Sequence, residues 1–108
     1  MITVIFASYN GADTLPLMLE SYLKIEPPSC GWKIIAVDNA STDETKEIIL
    51  SYKDKLPLIY LYQPLKGKSH ALNMGIMEAE GNLVVFSDDD IIPRSDWLIN
   101  LYQCAIDN

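Results

Sequence analysis

The sequence predicts an α/β fold in three layers, with a parallel β-sheet between two layers of helices. Short apolar runs of the kind that form buried strands alternate four times with segments whose apolar residues recur at helical spacing. A βαβαβαβα order requires parallel strands joined by crossover helices. Because such crossovers are right-handed, the expected strand order is 3-2-1-4, which reverses direction between strands 1 and 4.

Four segments are predicted to form the strands: residues 2–7, 33–37, 58–62 and 82–87. Each is a short run dominated by Val, Ile, Leu and aromatic residues, with little polar alternation. Strands of this composition are typical of a parallel sheet, which is buried on both faces.

Four helices are predicted between and after the strands. The first spans about residues 12–25, and the second begins at residues 41–44 (Ser-Thr-Asp-Glu), which have the form of a capping box. The third ends at Gly81, and Ser95 caps the fourth. The residues predicted to face inward are Leu15, Met18, Leu19, Tyr22, Leu23, Ile48, Ile49, Tyr52, Leu72, Ile76, Ala79, Leu98, Leu101, Tyr102 and Ala105.

The composition is that of a globular protein, and the 108 residues suffice for one small domain or part of a larger one. No apolar run approaches the ~20 residues of a membrane-spanning helix. The first residues match a strand rather than a signal peptide. Cys30 and Cys104 lie far apart and outside any metal-binding pattern, so both are predicted to be reduced thiols. We therefore expect a soluble, cytoplasmic segment, with membrane association of a full-length protein left open as the alternative.

The net charge of −7 argues against nucleic acid and anionic membranes as partners. Phosphate backbones and acidic lipid surfaces select basic patches, whereas this chain has fifteen acidic residues against eight basic ones. A small phosphorylated ligand remains compatible with the charge, because a metal ion between a diphosphate and an acidic site would bridge the two.

Three consecutive aspartates, Asp88, Asp89 and Asp90, follow the fourth predicted strand. Like charges this close are costly, and hard cations such as Mg²⁺ or Mn²⁺ take carboxylate oxygens as ligands. The alternative is a solvated acidic turn. The strand order favours the metal site, since ligands of open α/β sheets bind where the strand order reverses, outside the carboxyl ends of the strands.

The other residues predicted at that edge follow strands 1 and 2. Tyr9 could stack on a base, or Asn10 could simply cap the next helix, and both roles are compatible. Asp38 could accept hydrogen bonds from a base or ribose, or Asp38 and Asn39 could only shape the turn.

One local basic cluster, residues 65–70 (Leu-Lys-Gly-Lys-Ser-His), precedes the third helix. Lysines beside the exposed N–H groups of a helix start suit a phosphate, although a solvated loop is the alternative. Asn73, on the same helix, could direct its amide at the site. His70 is more typical of a surface or packing residue than of a ligand-binding one. Trp97 is more typical of a packing residue than of one that stacks on a substrate.

Four segments together resemble family 2 glycosyltransferases of the GT-A fold. They are residues 4–10 (Val-Ile-Phe-Ala-Ser-Tyr-Asn), 37–43 (Val-Asp-Asn-Ala-Ser-Thr-Asp), 67–76 (Gly-Lys-Ser-His-Ala-Leu-Asn-Met-Gly-Ile) and 86–90 (Phe-Ser-Asp-Asp-Asp). Each is weak alone, but they occur in the family's order and cover most of the chain. One departure is Ala7-Ser8, where the family usually has Pro-Thr.

The resemblance implies a nucleotide-diphospho-sugar donor, with a UDP-sugar as the family default, and Mg²⁺ or Mn²⁺ as cofactor. Asp88 and Asp90 match the outer positions of the DxD motif, so Asp90 would ligate the metal, assisted by Asp88. The resemblance places nine residues at the donor, with Asp88 shared with the metal: Ser8, Tyr9, Asn10, Asp38, Asn39, Lys68, Asn73, Asp88 and Asp89.

The resemblance also implies that residues 1–108 are the donor-binding part of a domain about twice as long. The acceptor-binding half, with the acidic general base, would follow, and the acceptor would be a carbohydrate or a lipid-linked sugar. Without flanking strands, strand 4 would be an unpaired apolar edge, so we expect a homo-oligomer of this chain.

Two other functions are compatible with parts of the pattern. A nucleotide-sugar-binding module without catalysis would share the same motifs. A receiver-like signalling domain would need an acceptor Asp after strand 3, but that strand ends in Gln63-Pro64.

Overall fold

Four strands form one parallel sheet in the computed structural model, which describes residues 1–107, with the backbone alone at Asp107. The strands are β1 (Ile2–Ser8), β2 (Trp32–Asp38), β3 (Leu58–Tyr62) and β4 (Leu83–Asp88). The helices are α1 (Leu15–Tyr22), α2 (Thr45–Ser51), α3 (Lys68–Glu78) and α4 (Trp97–Asp107). The element order is therefore the predicted βαβαβαβα.

The strand order is β3-β2-β1-β4, which confirms the predicted order 3-2-1-4. β1 lies at the centre and pairs with β2 on one side and β4 on the other. The register places Ser8 opposite Asp38 and Ala7 opposite Asp88. The polar residues that end three adjacent strands therefore lie in one row at the carboxyl edge of the sheet.

Helices cover both faces of the sheet, which confirms the three-layer prediction. On one face α1, α2 and α4 bury a large cluster that includes Phe6, Tyr22 and Leu98. On the other face α3 packs through Ala71 against Ile5 and two residues of β2. β1 is buried along almost its whole length as a result, which explains why its sequence is apolar on both faces.

A glycine lets α3 lie close to the sheet. A Cβ placed on Gly75 would lie 2.6 Å from Cγ2 of Ile5, closer than real Cβ atoms approach a neighbour. The close approach fixes the height of α3 above β1, and so fixes where its first turn meets the carboxyl edge of the sheet.

The helix starts differ from the sequence predictions. α1 begins at Leu15 with Thr14 at the N-cap position, so the prediction that Asn10 caps it is wrong; Asn10 adopts a left-handed conformation with φ of 51°. α2 begins at Thr45 with Glu44 at its N-cap position, so Ser41 is not its cap. Both predictions failed because these two polar side chains bond across loops instead of to their own helix.

The later boundaries also shift. α3 ends at Glu78, and Gly81 follows it in a turn with φ of 87°. α4 begins at Trp97 rather than directly after Ser95. Cys30 and Cys104 are not joined by a disulfide. Among residues 1–107, no helix has the length and apolar character needed to cross a membrane.

Candidate functional site

A cleft of about 550 Å³ opens at the carboxyl edge of the sheet, between β1 and β4 where the strand order reverses. Its volume falls in the range of small-molecule sites, about 300–1,000 Å³. Four segments form its walls: the end of β1, the residue that follows β2, the segment from the β3–α3 loop into the first turn of α3, and the end of β4. The lining residues are Ala7, Ser8, Tyr9, Asn39, Lys66, Gly67, Lys68, Asp88 and Asp89.

An ion pair crosses this cleft. Nζ of Lys68 lies 2.6 Å from Oδ1 of Asp88, and the two side chains are 62% and 46% exposed. The hydrogen bond to Asp88 raises the pKa of Lys68 above its usual value, and the charges of Asp88, Asp89 and Asp90 act in the same direction. Because exposed pairs contribute at most about 1 kcal/mol, a ligand can readily open this one.

The middle aspartate is held in place by β1. Oγ of Ser8, a buried side chain, donates a hydrogen bond of 2.7 Å to Oδ2 of Asp89. Gly11 leaves room for the pair, since a Cβ there would collide with Oγ of Ser8 and lie 2.8 Å from Oδ2 of Asp89. Ser8 therefore orients Asp89 in the cleft wall.

The second lysine faces the aromatic side of the cleft. Nζ of Lys66 lies 5.1 Å from the centroid of the Tyr9 ring and 3.4 Å from its hydroxyl. Tyr9 is 50% exposed, so part of its surface remains open to a ligand. Helix α3 begins at Lys68. The N–H groups in the first turn of a helix have no hydrogen-bond partner within the helix. Lysines and helix start together favour an anion.

Asn39 lies beneath the loop that carries the lysines. Its Nδ2 donates to the carbonyl oxygens of Gln63 and Leu65, at 3.1 and 2.8 Å, and its Oδ1 accepts from the N–H of Gly67 at 3.0 Å. Asn39 thus lines the cleft, but its amide is occupied by main-chain groups of the loop.

Asp38 is almost completely buried and shapes the turn after β2. Its Oδ1 accepts from the N–H of Ser41 at 3.1 Å, and its Oδ2 accepts from the hydroxyl of Tyr60 at 2.7 Å. Burial and this bond raise the pKa of Tyr60 well above its usual value, so the hydroxyl stays a donor. Asp38 lines a neighbouring depression of about 390 Å³, which is also lined by Thr42 and Tyr62.

The loops after β1 and β2 are joined by side-chain hydrogen bonds. Oδ1 of Asn10 accepts from the N–H of Thr42 at 2.8 Å, and the N–H of Asn10 donates to Oγ of Ser41. Asp43 accepts from the N–H of Ala12 and from both the N–H and the hydroxyl of Thr45. The hydroxyl bond is the main reason that the pKa of Asp43 is lowered.

Several predicted residues lie outside the cleft lining. Asp90 is exposed beyond its rim, in the turn after β4. Asn73 lines a separate depression with His70 and Met77, on the outer side of α3. Trp97 packs edge-on against Tyr22, with ring centroids 6.2 Å apart, which is the packing role. The structure therefore brings Ser8, Tyr9, Asn39, Lys68, Asp88 and Asp89 together, and leaves Asn10, Asp38, Asn73 and Asp90 around them.

The acidic residues are suited to a hard cation only in part. Within the described residues, no three His, Cys, Asp or Glu side chains are grouped to hold a metal ion by themselves. Asp88 and Asp89 nevertheless place two carboxylates in the cleft. Mg²⁺ usually takes one or two carboxylates and completes its shell with substrate phosphates and water, so the donor set fits a cation that arrives with a phosphorylated ligand.

Three contributors escaped the sequence predictions. Tyr60 supports Asp38, although nothing in its position on an apolar strand indicates a polar role. Thr45 accepts the N–H of Gly11 at 2.9 Å, and Lys66, noted only as part of the basic cluster, lies over Tyr9. All three contacts join residues that are far apart in the sequence, so only the fold brings them together.

A parallel 3-2-1-4 sheet with a polar cleft at its reversal point is the arrangement of GT-A glycosyltransferase domains. The chain belongs to glycosyl transferase family 2, whose model matches residues 3–108. It is 35% identical over 103 residues to a dolichyl-phosphate beta-glucosyltransferase of Trichomonas vaginalis, covering 88% of this chain and 32% of that protein. The family assignment leaves a receiver-like domain without support.

Solved structures agree with this assignment. Staphylococcus aureus TarS residues 1–349 superimpose with a TM-score of 0.90 at 27% identity, over 98% of this chain and 32% of that fragment. The mannosyltransferase PcManGT of Pyrobaculum calidifontis, solved in complex with GDP-Man and Mn²⁺, has a TM-score of 0.86 at 31% identity, over 94% of this chain and 31% of that one. TarS has also been solved with UDP-GlcNAc.

The chain spans about a third of the length of the first relative and of these two structures.

Replacing Asp43 by alanine should lower the free energy of unfolding by about 1 kcal/mol at pH 7, as loss of a helix-start carboxylate does. Because hydrogen bonding lowers the folded-state pKa of Asp43, its ionic contribution is complete above the ordinary value of 3.8 and is lost as the pH falls through the folded-state value. Urea unfolding at pH 7 and below pH ~3 should show the difference between variant and wild type shrink in acid.

The matched control is Asp54→Ala, which removes an exposed carboxylate from a turn. A difference for Asp43→Ala that is unchanged in acid would contradict the assigned role.

Proposed function

We propose that the cleft binds the diphosphate of a nucleotide-sugar donor, and that the protein transfers the sugar to an acceptor with the nucleoside diphosphate as leaving group. The observation that supports this most is the arrangement of Lys66 and Lys68 opposite Asp88 and Asp89 at the reversal point of the sheet. The lysines and the start of α3 suit phosphate oxygens, while the aspartates suit a cation bound to the same phosphates.

Asp88 and Asp90 are the proposed ligands of Mg²⁺ or Mn²⁺. Asp88 lines the cleft, and its present partner is the ammonium group of Lys68, which is free to move to a phosphate once a cation takes its place. When bound, the cation offsets the negative charge that develops on the departing diphosphate. Ser8 keeps Asp89 oriented beside this position.

The nucleoside is proposed to lie towards β1 and β2. The exposed ring of Tyr9 offers a stacking surface, and on that side Asp38 ends β2 and Asn39 follows it. Asn10 shapes the adjoining loop. Asn73 retains its assignment from the family motif, although its side chain faces a neighbouring depression. A UDP-sugar is the proposed donor by family default. Because PcManGT was solved with GDP-Man, GDP should be tested beside UDP.

The proposed acceptor is a carbohydrate or a lipid-linked sugar. The relative from Trichomonas vaginalis is named for dolichyl phosphate, and one from Escherichia coli for a diphosphoundecaprenol-linked sugar. These names support a lipid-linked acceptor for the family members concerned. For this chain we infer a cytoplasmic location, in keeping with its acidic charge and its two thiols.

Titration calorimetry with UDP and GDP, each with and without Mn²⁺, tests the donor site. Binding should require or be strengthened by Mn²⁺, and Asp90→Asn and Asp88→Asn should each weaken the metal-dependent part by about 10–100-fold, as the loss of one charge-assisted contact does. Asp54→Asn makes the same chemical change far from the cleft and should bind like the wild type.

A folded protein that gives no heat with any nucleoside diphosphate would overturn the donor site. Binding without sugar release from a UDP-sugar, in a protein that includes the acceptor half, would instead favour a module that binds the donor without catalysis.

The open side of β4 supports a second proposal, that this chain by itself forms a homo-oligomer through that edge. Among the described residues β4 pairs with one strand, β1, and Val84 and Phe86 are exposed on the same face of the sheet as Ile5, beside α3. A groove of about 450 Å³ at Phe86 is lined by apolar residues including Ile91, Pro93 and Trp97 and by the polar residues Ser87, Arg94, Asp96 and Asn100. Unpaired apolar strands are prone to pair with another chain, so a second copy is the proposed occupant.

Size-exclusion chromatography with light scattering should therefore give a mass about twice that of one chain. Phe86→Lys should return the monomer, because a charge at the edge opposes strand pairing. Leu17→Lys, which makes the same change at an exposed position on α1, should leave the oligomer intact. A wild-type protein that stays monomeric at high concentration would contradict the proposal.

A further inference from the structure

We propose that Asn39 is a positioning residue that holds the β3–α3 loop, residues 63–67, over the cleft and thereby places Lys66 and Lys68. The proposal rests on the proposed function, since the two lysines matter only if the cleft binds the donor. It assigns Asn39 a different role from direct donor binding. The side chain acts on the donor through the loop, not by contact with the base or ribose.

The carboxamide of Asn39 is fully engaged by the loop. Both N–H bonds of Nδ2 are directed to carbonyl oxygens, those of Gln63 and Leu65, and Oδ1 takes the N–H of Gly67. The residue is 5% exposed, so these bonds are shielded from water. Two donors and one acceptor meet two carbonyls and one N–H, a pattern that only an amide side chain of this length supplies.

The bonds of Asn39 join the two halves of the loop. Gln63 and Leu65 lie on the side that leaves β3, and Gly67 lies on the side that enters α3. Gly67 has a φ of 133°, a conformation that favours glycine and lets the chain turn its N–H inward. Asn39 therefore closes the loop across its width.

The lysine side chains do not secure the loop by themselves. Lys68 forms an exposed ion pair with Asp88, and Lys66 reaches an exposed tyrosine ring. Contacts of this kind are weak and screened by salt, and the proposed ligand would displace them. The buried amide of Asn39 makes its bonds without a ligand in the cleft, so it can preorganise both lysines.

Asn39→Asp tests this with little change of shape. It removes both N–H donors and puts a negative charge against two carbonyl oxygens, while keeping an acceptor for Gly67. Trypsin cleavage after Lys66 and Lys68, and deuterium exchange at the Gly67 amide, should both accelerate about tenfold or more, because local opening controls both rates. Asn82→Asp makes the same change at an exposed turn and should match the wild type.

The wild-type protein supplies a readout that does not depend on any variant folding. The Gly67 amide should exchange slowly in the absence of ligand, since it donates to a buried oxygen. Exchange of Gly67 at the rate of an unstructured loop would overturn the proposal. So would an Asn39→Asp protein that folds and keeps the wild-type cleavage and exchange rates.

The consequence for the ligand is measured separately. UDP with Mn²⁺ should bind Asn39→Asp about tenfold or more weakly, and binding to the wild type and Asn82→Asp should be equal. A loosened loop in a protein that binds no nucleotide at all would refute the donor site and leave the loop role standing. Donor binding that Asn39→Asp leaves unchanged, despite a loosened loop, would overturn the positioning role.

Discussion

The parallel register of β1 with both of its neighbours is the constraint on which the candidate site depends. It sets Ser8 beside Asp38 and Ala7 beside Asp88, so three strands end together with polar residues at one edge. Two crossovers leave this edge in opposite directions, which opens the cleft between β1 and β4. A shift of one residue along either pairing would exchange the two faces of a strand and separate Asp88 from the lysines opposite it.

The loops above this edge are ordered by side chains bonding to main-chain groups of other loops. Asn10 and Asp43 join the segments after β1 and β2, and Asn39 closes the segment after β3. In the cleft, by contrast, Lys68 and Asp88 form an exposed ion pair, and Lys66 contacts the exposed ring of Tyr9. The molecule thus combines a hydrogen-bonded main-chain frame with a few exposed charges, which suits a ligand that arrives with its own charges and cation.

The sequence predicted the fold well because strand and helix periodicity are local properties. The strand order followed from the handedness of crossovers, and four strands end within a residue or so of their expected positions. The hydrogen-bond partners of the polar residues were harder to predict from the sequence. Asn10 and Ser41 have the composition of caps, yet they bond to each other's loops, and Asn73 lies on the outer side of α3. The family motif predicts that Asn39 lies near the donor, because a motif locates a residue in the sequence. Only the fold shows which carbonyl oxygens its amide donates to.

Relaxation of amide resonances by Mn²⁺ in the presence of UDP measures directly whether a metal-bound diphosphate occupies the cleft. A paramagnetic ion at Asp88 should broaden the amides of Ser8, Lys68 and the acidic turn, and spare those at the far end of α3. Mg²⁺ in place of Mn²⁺ should leave all of them sharp. Broadening centred on another acidic surface, or unchanged in Asp88→Asn, would contradict the assignment of the donor site to this cleft.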